Sequence, residues 1–367
     1  MLQTILGLLT LSGFAGFLAL CLEVADLYFA NYGECAIRIN DGEREYTVQG
    51  GGHLLGALGD QGIFVPSACG GRGSCGLCKL QVLEGAGPLL PTETPYLSPE
   101  ERRNHVRLSC QVKVRNNLSI EIPPELFLIK EYSARVERIR DLTEDIKEIR
   151  LSLLEPDTMK FKAGQYIQFQ IPEYAGADEP VYRAYSLASG PGDPRRLTLV
   201  VTRVPDGVAS TYIHTELREG NKVRVNGPYG EFYLRESAGD ILMVATGSGL
   251  APIMSLLHQM ADQQIQRKAT VVFGARQRKD LFYLEELEGF KERIPSLEVI
   301  FTLSRPSEED RWQGERGRVT EVIPKIVHPR DEVEAYICGN PAMVESSEEL
   351  LVRLGVPRER IYYDKFA

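Results

Sequence analysis

The first 22 residues, MLQTILGLLTLSGFAGFLALCL, contain no charged side chain. In a helix such a run extends ~33 Å, enough to cross the hydrocarbon core of a bilayer. A signal peptide would place a basic segment before its apolar stretch and a small-residue cleavage site after it. Here the first Lys or Arg is Arg38, and Glu23 and Asp26 follow the run. The pattern predicts an uncleaved anchor over residues 1–30. Flanking charge leaves its orientation open, because no Lys or Arg lies near either end. Gly7, Ser12, Gly13, Ala15 and Gly16 supply small residues for packing on partner helices. No later segment approaches spanning length, so the rest of the chain is expected to be soluble.

Beyond the apolar run the period changes three times. Residues 36–40 (AIRIN) and 45–49 (EYTVQ) alternate apolar and polar around Asp41-Gly42, the signature of a hairpin. A short helical stretch follows in HLLGALGDQG. From about residue 130 strand-like segments recur every 10–15 residues without long helices: ARVERIRDL, IKEIRLSLL, QYIQFQIP, VYRAYSLAS, RLTLVVTRV and KVRVNGPYG. That spacing predicts an antiparallel barrel. After residue 236 strands and helices alternate. DILMVAT, a glycine turn and IMSLLHQMADQ begin a parallel βαβ unit, with KATVVFGAR, LFYLEELEGFKERI, LEVIFTLSRP and EVEAYICG completing the alternation. The expected organisation is an anchor (1–30), a first soluble domain (35–127), a barrel (128–236) and an α/β domain (237–367).

Length and charge narrow the classes. A chain of 367 residues exceeds a single typical domain. With 43% hydrophobic and 25% charged residues it has an ordinary globular mix. Its net charge of −9, from 42 Lys+Arg against 51 Asp+Glu, argues against nucleic acid as a partner. Seven cysteines are too sparse for a secreted disulfide scaffold. Four of them carry a pattern: Cys69, Cys75 and Cys78 share one glycine-rich loop, and Cys110 lies far downstream. Structural zinc usually takes two close pairs of ligands, and only one exists here. Gly70, Gly71, Gly73 and Gly76 would let backbone N–H groups turn toward an anion, which suits the sulfides of a [2Fe–2S] cluster better than zinc. Cys21 and Cys35 fall outside the pattern. The five histidines, His53, His105, His214, His258 and His328, show no metal spacing.

Within the barrel, Arg183-Ala-Tyr185-Ser186 pairs an Arg that can clamp a diphosphate with a Tyr that can stack on a flat ring system. Ser186 could bond a flavin edge. Gly207, Ser210 and Thr211 precede YIHTEL, read as a short helix, and would form a phosphate site at its start. Asn226-Gly-Pro-Tyr-Gly230 reads as a tight turn ending the barrel. Together these features resemble the FAD domain of the ferredoxin-NADP reductase superfamily, with FMN the weaker choice. In the α/β domain, Gly247-Ser-Gly249-Leu-Ala-Pro252 lacks the third glycine of the Rossmann fingerprint. Its Pro252 resembles the pyridine-nucleotide domain of the same superfamily. Cys338-Gly339-Asn340-Pro341 falls at the carboxyl end of a strand, where ligands bind in open parallel sheets. The resemblance implies that Cys338 lies near the reacting nicotinamide carbon. It also implies that Phe366 covers the flavin face that nicotinamide must reach. After KATVVFG, the missing Ser and the presence of Asp280 favour NADH, against Arg276 and Arg278.

The whole order, with ACGGRGSCGLC, PTE at 91–93, RLSCQV, RAYSLAS, GPYGEF, FGAR and YICG, closely resembles the family of F subunits of the sodium-translocating NADH:quinone reductases. The resemblance implies a multidomain α+β and α/β chain: a transmembrane helix, a β-grasp ferredoxin, an FAD barrel and an NAD-binding domain. It further implies an electron path from NADH through FAD and a [2Fe–2S] cluster to membrane redox subunits, ending at quinone. The chain would be single-pass in the cell membrane, with its soluble domains in the cytoplasm. The family carries a long insertion before the RAYS strand, where this chain has only PEYAGADEP. Reductase components of oxygenases share the domain order without an anchor, which makes such a role the alternative.

Overall fold

The computed structural model describes residues 13–14, 16–19, 32–328 and 332–366. Most of the expected anchor, Cys21 included, lies outside them. Residues 13, 14 and 16–19 are helical, and Phe14, Phe17 and Leu18 are exposed. Among the described residues no helix is long and apolar enough to cross a membrane. The chain divides into two compact units, one of residues up to 66 with 71–128, the other of 67–70 with 129–367.

The first unit is a five-stranded mixed sheet. The alternating segments form β1 (Glu34–Ile39) and β2 (Arg44–Gln49). Their hairpin turns through Asn40, Asp41 and Gly42, all at positive φ. Helix α1 (Leu54–Asp60) follows, burying Leu54 and Leu58. Strands β3 (Lys79–Glu84), β4 (Val106–Leu108) and β5 (Leu118–Glu121) complete the order β2-β1-β5-β3-β4. The first and last strands are parallel neighbours and the other pairs antiparallel, the order of a β-grasp. Ile37, Ile39, Leu80, Leu118 and Ile120 fill the core with Leu54 and Leu58 of α1.

The second unit begins with six antiparallel strands: β6 (Lys130–Asp141), β7 (Ile146–Glu155), β8 (Tyr166–Ile171), β9 (Val181–Ser186), β10 (Arg196–Thr202) and β11 (Lys222–Tyr229). Their order is β10-β7-β6-β11-β8-β9, and an isolated bridge between Leu187 and Leu199 joins the two edges. Alternate residues such as Ile149, Leu151, Ile167 and Phe169 fill the interior, as closure of a barrel requires. Two details differ from the sequence reading. Residues 226–229 continue β11 rather than forming a tight turn, with an irregular register between Asn226 and Tyr229. Helix α2 (Val208–Thr215) starts at Val208, not after Thr211.

The α/β part has six parallel strands in the order β15-β14-β13-β12-β16-β17. They are β12 (Asp240–Thr246), β13 (Ala269–Ala275), β14 (Leu297–Leu303), β15 (Glu315–Arg316), β16 (Val333–Gly339) and β17 (Ile361–Lys365). Every residue of β16 is buried, as in a sheet covered by helices on both faces. The alternation does not end at EVEAYICG, as its periodicity suggests. The final strand β17 escapes a periodicity reading because IYYDK is short, with only Ile361 fully buried. A buried carboxylate joins this part to the barrel. Glu148 accepts from the Tyr283 hydroxyl at 2.6 Å and from Arg140 at 3.1 Å, and Arg140 also reaches Glu286 at 2.9 Å.

Candidate cofactor-binding and redox site

Strands β3 and β4 set the positions of two of the four cysteines. Cys78 immediately precedes β3, Cys110 lies just past β4, and the Ser109 N–H donates to the Cys78 carbonyl at 2.8 Å. Both cysteines are buried. Contact with Cys110, and then burial, push the Cys78 thiol far above the ordinary thiol range. Two thiols this close in an apolar setting cannot both ionise without a cation between them, so this donor pair fits a metal centre. Cys69 and Cys75 are half-buried on the glycine loop. Gly70, Gly71, Gly73 and Gly76 stand at φ 64°, 89°, 73° and 70°, where a side chain is strained. A Cβ at Gly73 would also meet the Gln111 side chain at 2.6 Å, and one at Gly76 would meet Tyr96 at 2.7 Å. The Gln111 amide donates to the Cys110 sulfur at 3.6 Å. Among the described residues no three His, Cys, Asp or Glu side chains stand at metal-holding distance. The structure brings Cys78 and Cys110 together. Cys35 is buried in the core, with its thiol directed at the Tyr32 carbonyl.

A buried ion pair braces this region, and nothing in the PTE segment alone marks it. Arg107 donates to both oxygens of Glu93, at 2.9 and 2.6 Å, and to the carbonyls of Gly87 and Pro88. Glu93 also accepts from the backbone N–H groups of Leu90 and Leu108. Burial alone would raise its carboxyl pKa, but Arg107 and the two N–H groups outweigh burial and hold it below the ordinary range. Arg107→Met leaves a buried carboxylate without its cation and is expected to cost about 3–5 kcal/mol at neutral pH. A depressed folded-state pKa contributes stability above the unfolded value of about 4.3, and loses it as pH falls through the folded value. The difference between wild type and variant in urea unfolding should therefore narrow below about pH 4. An unchanged urea midpoint at neutral pH would show the pair to be dispensable.

Strand β9 carries Arg183, Tyr185 and Ser186. Pairing with β8 sets Arg183 opposite Phe169 and Tyr185 opposite Ile167. The Tyr185 ring is edge-on to Phe169 at 6.4 Å and packs on the barrel core, and burial raises its phenol pKa. Arg183 donates to the Tyr182 carbonyl at 2.7 Å. Gly207 is the residue before α2, as a phosphate site needs, but Ser210 and Thr211 lie inside the helix. The Ser210 hydroxyl is buried and spent on its own turn, accepting from the Val204 N–H and facing the Val204 and Gly207 carbonyls. The Thr211 N–H donates to the Gly207 carbonyl. The anion-facing groups expected here reduce to Gly207 and the first turn of α2.

The β12 end turns through Gly247–Gly249 into helix α3 (Leu250–Asp262), with Pro252 buried in its first turn. Gly247 takes φ 54°. A Cβ on Gly249 would strike the Cys338 carbonyl and the Gly339 Cα. This glycine is therefore required by the neighbouring strand end. Cys338 is fully buried. Burial, and then the Asp364 carboxylate, hold its thiol well above the ordinary range, so at neutral pH it is a thiol and not a nucleophile. Strand β17 pairs Cys338 with Asp364 and Gly339 with Lys365. The Phe366 N–H donates to the Gly339 carbonyl at 2.9 Å, and its ring is half-buried against the core. Asp364 carries no sequence signal, yet its carboxylate accepts from the Ser186 hydroxyl at 3.2 Å across 178 residues of chain. Burial raises the Asp364 pKa, opposed by that hydroxyl. A second contact, from the Thr202 hydroxyl to Ser248 at 2.8 Å, ties β10 to the glycine turn. The end of the barrel strand and the carboxyl edge of the parallel sheet thus meet at Ser186, Cys338, Asp364 and Phe366.

Three family models match consecutive parts of the chain. The 2Fe-2S iron-sulfur cluster binding domain covers residues 37–115, the oxidoreductase FAD-binding domain 133–233 and the oxidoreductase NAD-binding domain 243–349. Among curated proteins, the F subunit of the Na(+)-translocating NADH-quinone reductase of Neisseria meningitidis is 35% identical over 405 aligned positions, with 100% of both chains covered. The protein of the same name from Idiomarina loihiensis is 36% identical over 375 positions, covering 91% of this chain and 92% of that one. Among solved structures, the Amycolatopsis cytochrome P450 reductase GcoB matches with TM-score 0.72 and 28% identity, over 90% of this chain and 98% of its own. The ferredoxin reductase in carbazole 1,9a-dioxygenase matches with TM-score 0.69 and 25% identity, over 91% and 98%.

Proposed function

This chain belongs to the F-subunit family of the Na(+)-translocating NADH-quinone reductases, and from that membership we propose that it is the NADH-oxidising entry component of a membrane redox complex. FAD supplies the exchange between the two-electron hydride of NADH and the one-electron steps of a [2Fe–2S] cluster. The residues of this chain bind, orient and shield. Arg183 and the α2 start would hold the FAD diphosphate, Tyr185 would pack on the flavin, and Ser186 would bond its edge. Gly247, Gly249 and Pro252 would form the dinucleotide turn. Cys338 and Gly339 would align the nicotinamide, and Phe366 would cover the flavin when no nicotinamide is present. Cys69, Cys75, Cys78 and Cys110 would ligate the cluster.

The observation that carries this reading is the meeting of Ser186 with Asp364 beside Cys338. It brings the strand proposed to hold the flavin close to the strand end proposed to receive nicotinamide, which supports the close approach of the two reacting groups that hydride transfer needs. Replacing Arg183 with alanine removes a charge-assisted contact worth about 1.5–3 kcal/mol, so FAD affinity should fall roughly ten- to a hundredfold. Full flavin retention in dilute Arg183→Ala protein would count against the site.

The membrane part of the proposal rests on the uncharged run at 1–22. The helix would anchor the chain in the cell membrane with its soluble domains in the cytoplasm, where NADH is available. Deleting residues 1–30 should release a soluble protein that still oxidises NADH with artificial acceptors but no longer reduces its membrane partner. Full-length protein recovered in the soluble fraction would refute the anchor. A second reading, reductase of an oxygenase, is favoured by the long match to GcoB and the carbazole dioxygenase reductase. Transfer to a soluble oxygenase component, undiminished by the deletion, would favour that reading.

A further inference from the structure

The segment that leaves β9 runs along the helix that leaves the glycine turn. Ser189 lies just past the end of β9, and α3 begins where the Gly247–Gly249 turn ends. The Ser255 hydroxyl of α3 donates to the Ser189 carbonyl at 2.6 Å, and Ser255 is fully buried. A Cβ at Gly190 would meet the His258 Cβ at 2.5 Å, and one at Gly192 would meet the Asp262 carboxylate at 3.0 Å. Positions 255, 258 and 262 are spaced three and then four apart, so they share one face of the helix. The chain from Ser189 to Gly192 is laid along that face, and the missing side chain at Gly190 permits the close approach. The Ser189 hydroxyl accepts from the Thr198 N–H at 3.1 Å, which holds the same segment to β10. On the helix side, Leu250, Ala251, Met254 and Leu257 belong to a core that also contains Ala188 and Val200 of the barrel.

Apolar contact holds the two parts together without direction, and a hydrogen bond to one carbonyl fixes their register. Ser255 is the one polar side chain among the buried residues of α3. Thr202 bonds Ser248 within the turn itself, and Ser255 bonds the barrel from the helix behind it. We infer that Ser255 is a positioning residue for hydride transfer. Its bond to Ser189 sets the glycine turn, and the nicotinamide aligned with it, against the flavin strand. In the step it serves, NADH gives up one hydride to become NAD+, and the flavin takes up both electrons. This role rests on the hydride-entry site proposed above.

The test uses full-length protein with FAD bound. Anaerobic rapid mixing over a range of NADH concentrations separates the limiting rate of flavin reduction from the half-saturating NADH concentration. It is run on wild type, Ser255→Ala and Gly190→Ala. The first variant removes the bond, and the second pushes the same segment off the helix at His258. In both, the limiting rate should fall on the order of tenfold, the effect of a sub-ångström displacement of reacting groups. The half-saturating NADH concentration should stay within about twofold, because binding and alignment are separate losses. Deuterium at the transferred position of NADH should slow the limiting rate in both variants, which places the defect in the hydride step. A purely structural contact would lower the melting temperature and leave the limiting rate of FAD-loaded protein unchanged, and that result would overturn the role. So would weaker NADH binding at an unchanged limiting rate, or loss of FAD from both variants. Failure of NADH to reduce the wild-type flavin would overturn the entry site itself, whereas normal reduction in wild type and both variants overturns only the role of Ser255.

Discussion

Cys78→Ala protein is expected to lose its iron–sulfur cluster, keep its FAD, and lose all transfer to acceptors that depend on the cluster. Cys78 is the ligand candidate most tightly fixed by the fold. It adjoins β3, is buried, and touches Cys110. Its removal takes away one of the four thiolates, and three cannot complete the coordination of both irons. Dyes that accept directly from flavin should still be reduced by NADH, because the barrel and the α/β part belong to a different compact unit. Iron analysis should fall from about two per chain to near zero. Retention of full iron content by Cys78→Ala would remove Cys78 from the ligand set.

Gly249→Val is expected to abolish hydride entry, with flavin reduction by NADH slowed at least about a hundredfold, the effect of a displacement of about 1 Å at a reacting site. The first atom of the new side chain would overlap the Cys338 carbonyl and the Gly339 backbone. That backbone cannot move away cheaply. Strand β16 is buried throughout, and Phe366 and Lys365 are bonded or paired to Gly339 from the other side. The turn or the Cys338 loop must shift, and either shift misplaces the nicotinamide against the flavin. Flavin binding should change little, since Arg183 and Tyr185 lie on β9. Flavin reduction at a wild-type rate on rapid mixing of Gly249→Val with NADH would refute this role of the turn.

What can be read from sequence follows from local periodicity and short-range chemistry. The alternation in β1 and β2, the barrel strands and the buried run of β12 each announce themselves within a few residues. The cysteine loop is legible because its glycines and thiols are contiguous. Features assembled across the chain are not. Asp364 reaches Ser186 only because β17 lies beside β16, and nothing in YYDKFA marks it as a partner of a barrel serine. Glu93 meets Arg107 across 14 residues, over a 3-10 turn and the short helix Pro99–Arg103, neither of which points to the pair. Ser210 is ambiguous for a local reason. Gly207-Val-Ala can precede a helix or begin one, and the helix begins at Val208.

Electrons are proposed to enter this chain as hydride from NADH and to leave one at a time through a cluster held by Cys69, Cys75, Cys78 and Cys110. Anaerobic titration of the purified full-length protein with NADH, followed by optical absorption and by paramagnetic resonance, tests that claim most directly. The expected result is flavin bleaching together with a signal from a reduced [2Fe–2S] cluster, in protein carrying about one FAD and about two irons per chain. Flavin bleaching with stoichiometric zinc and no iron would contradict it, as would an iron cluster that NADH leaves oxidised.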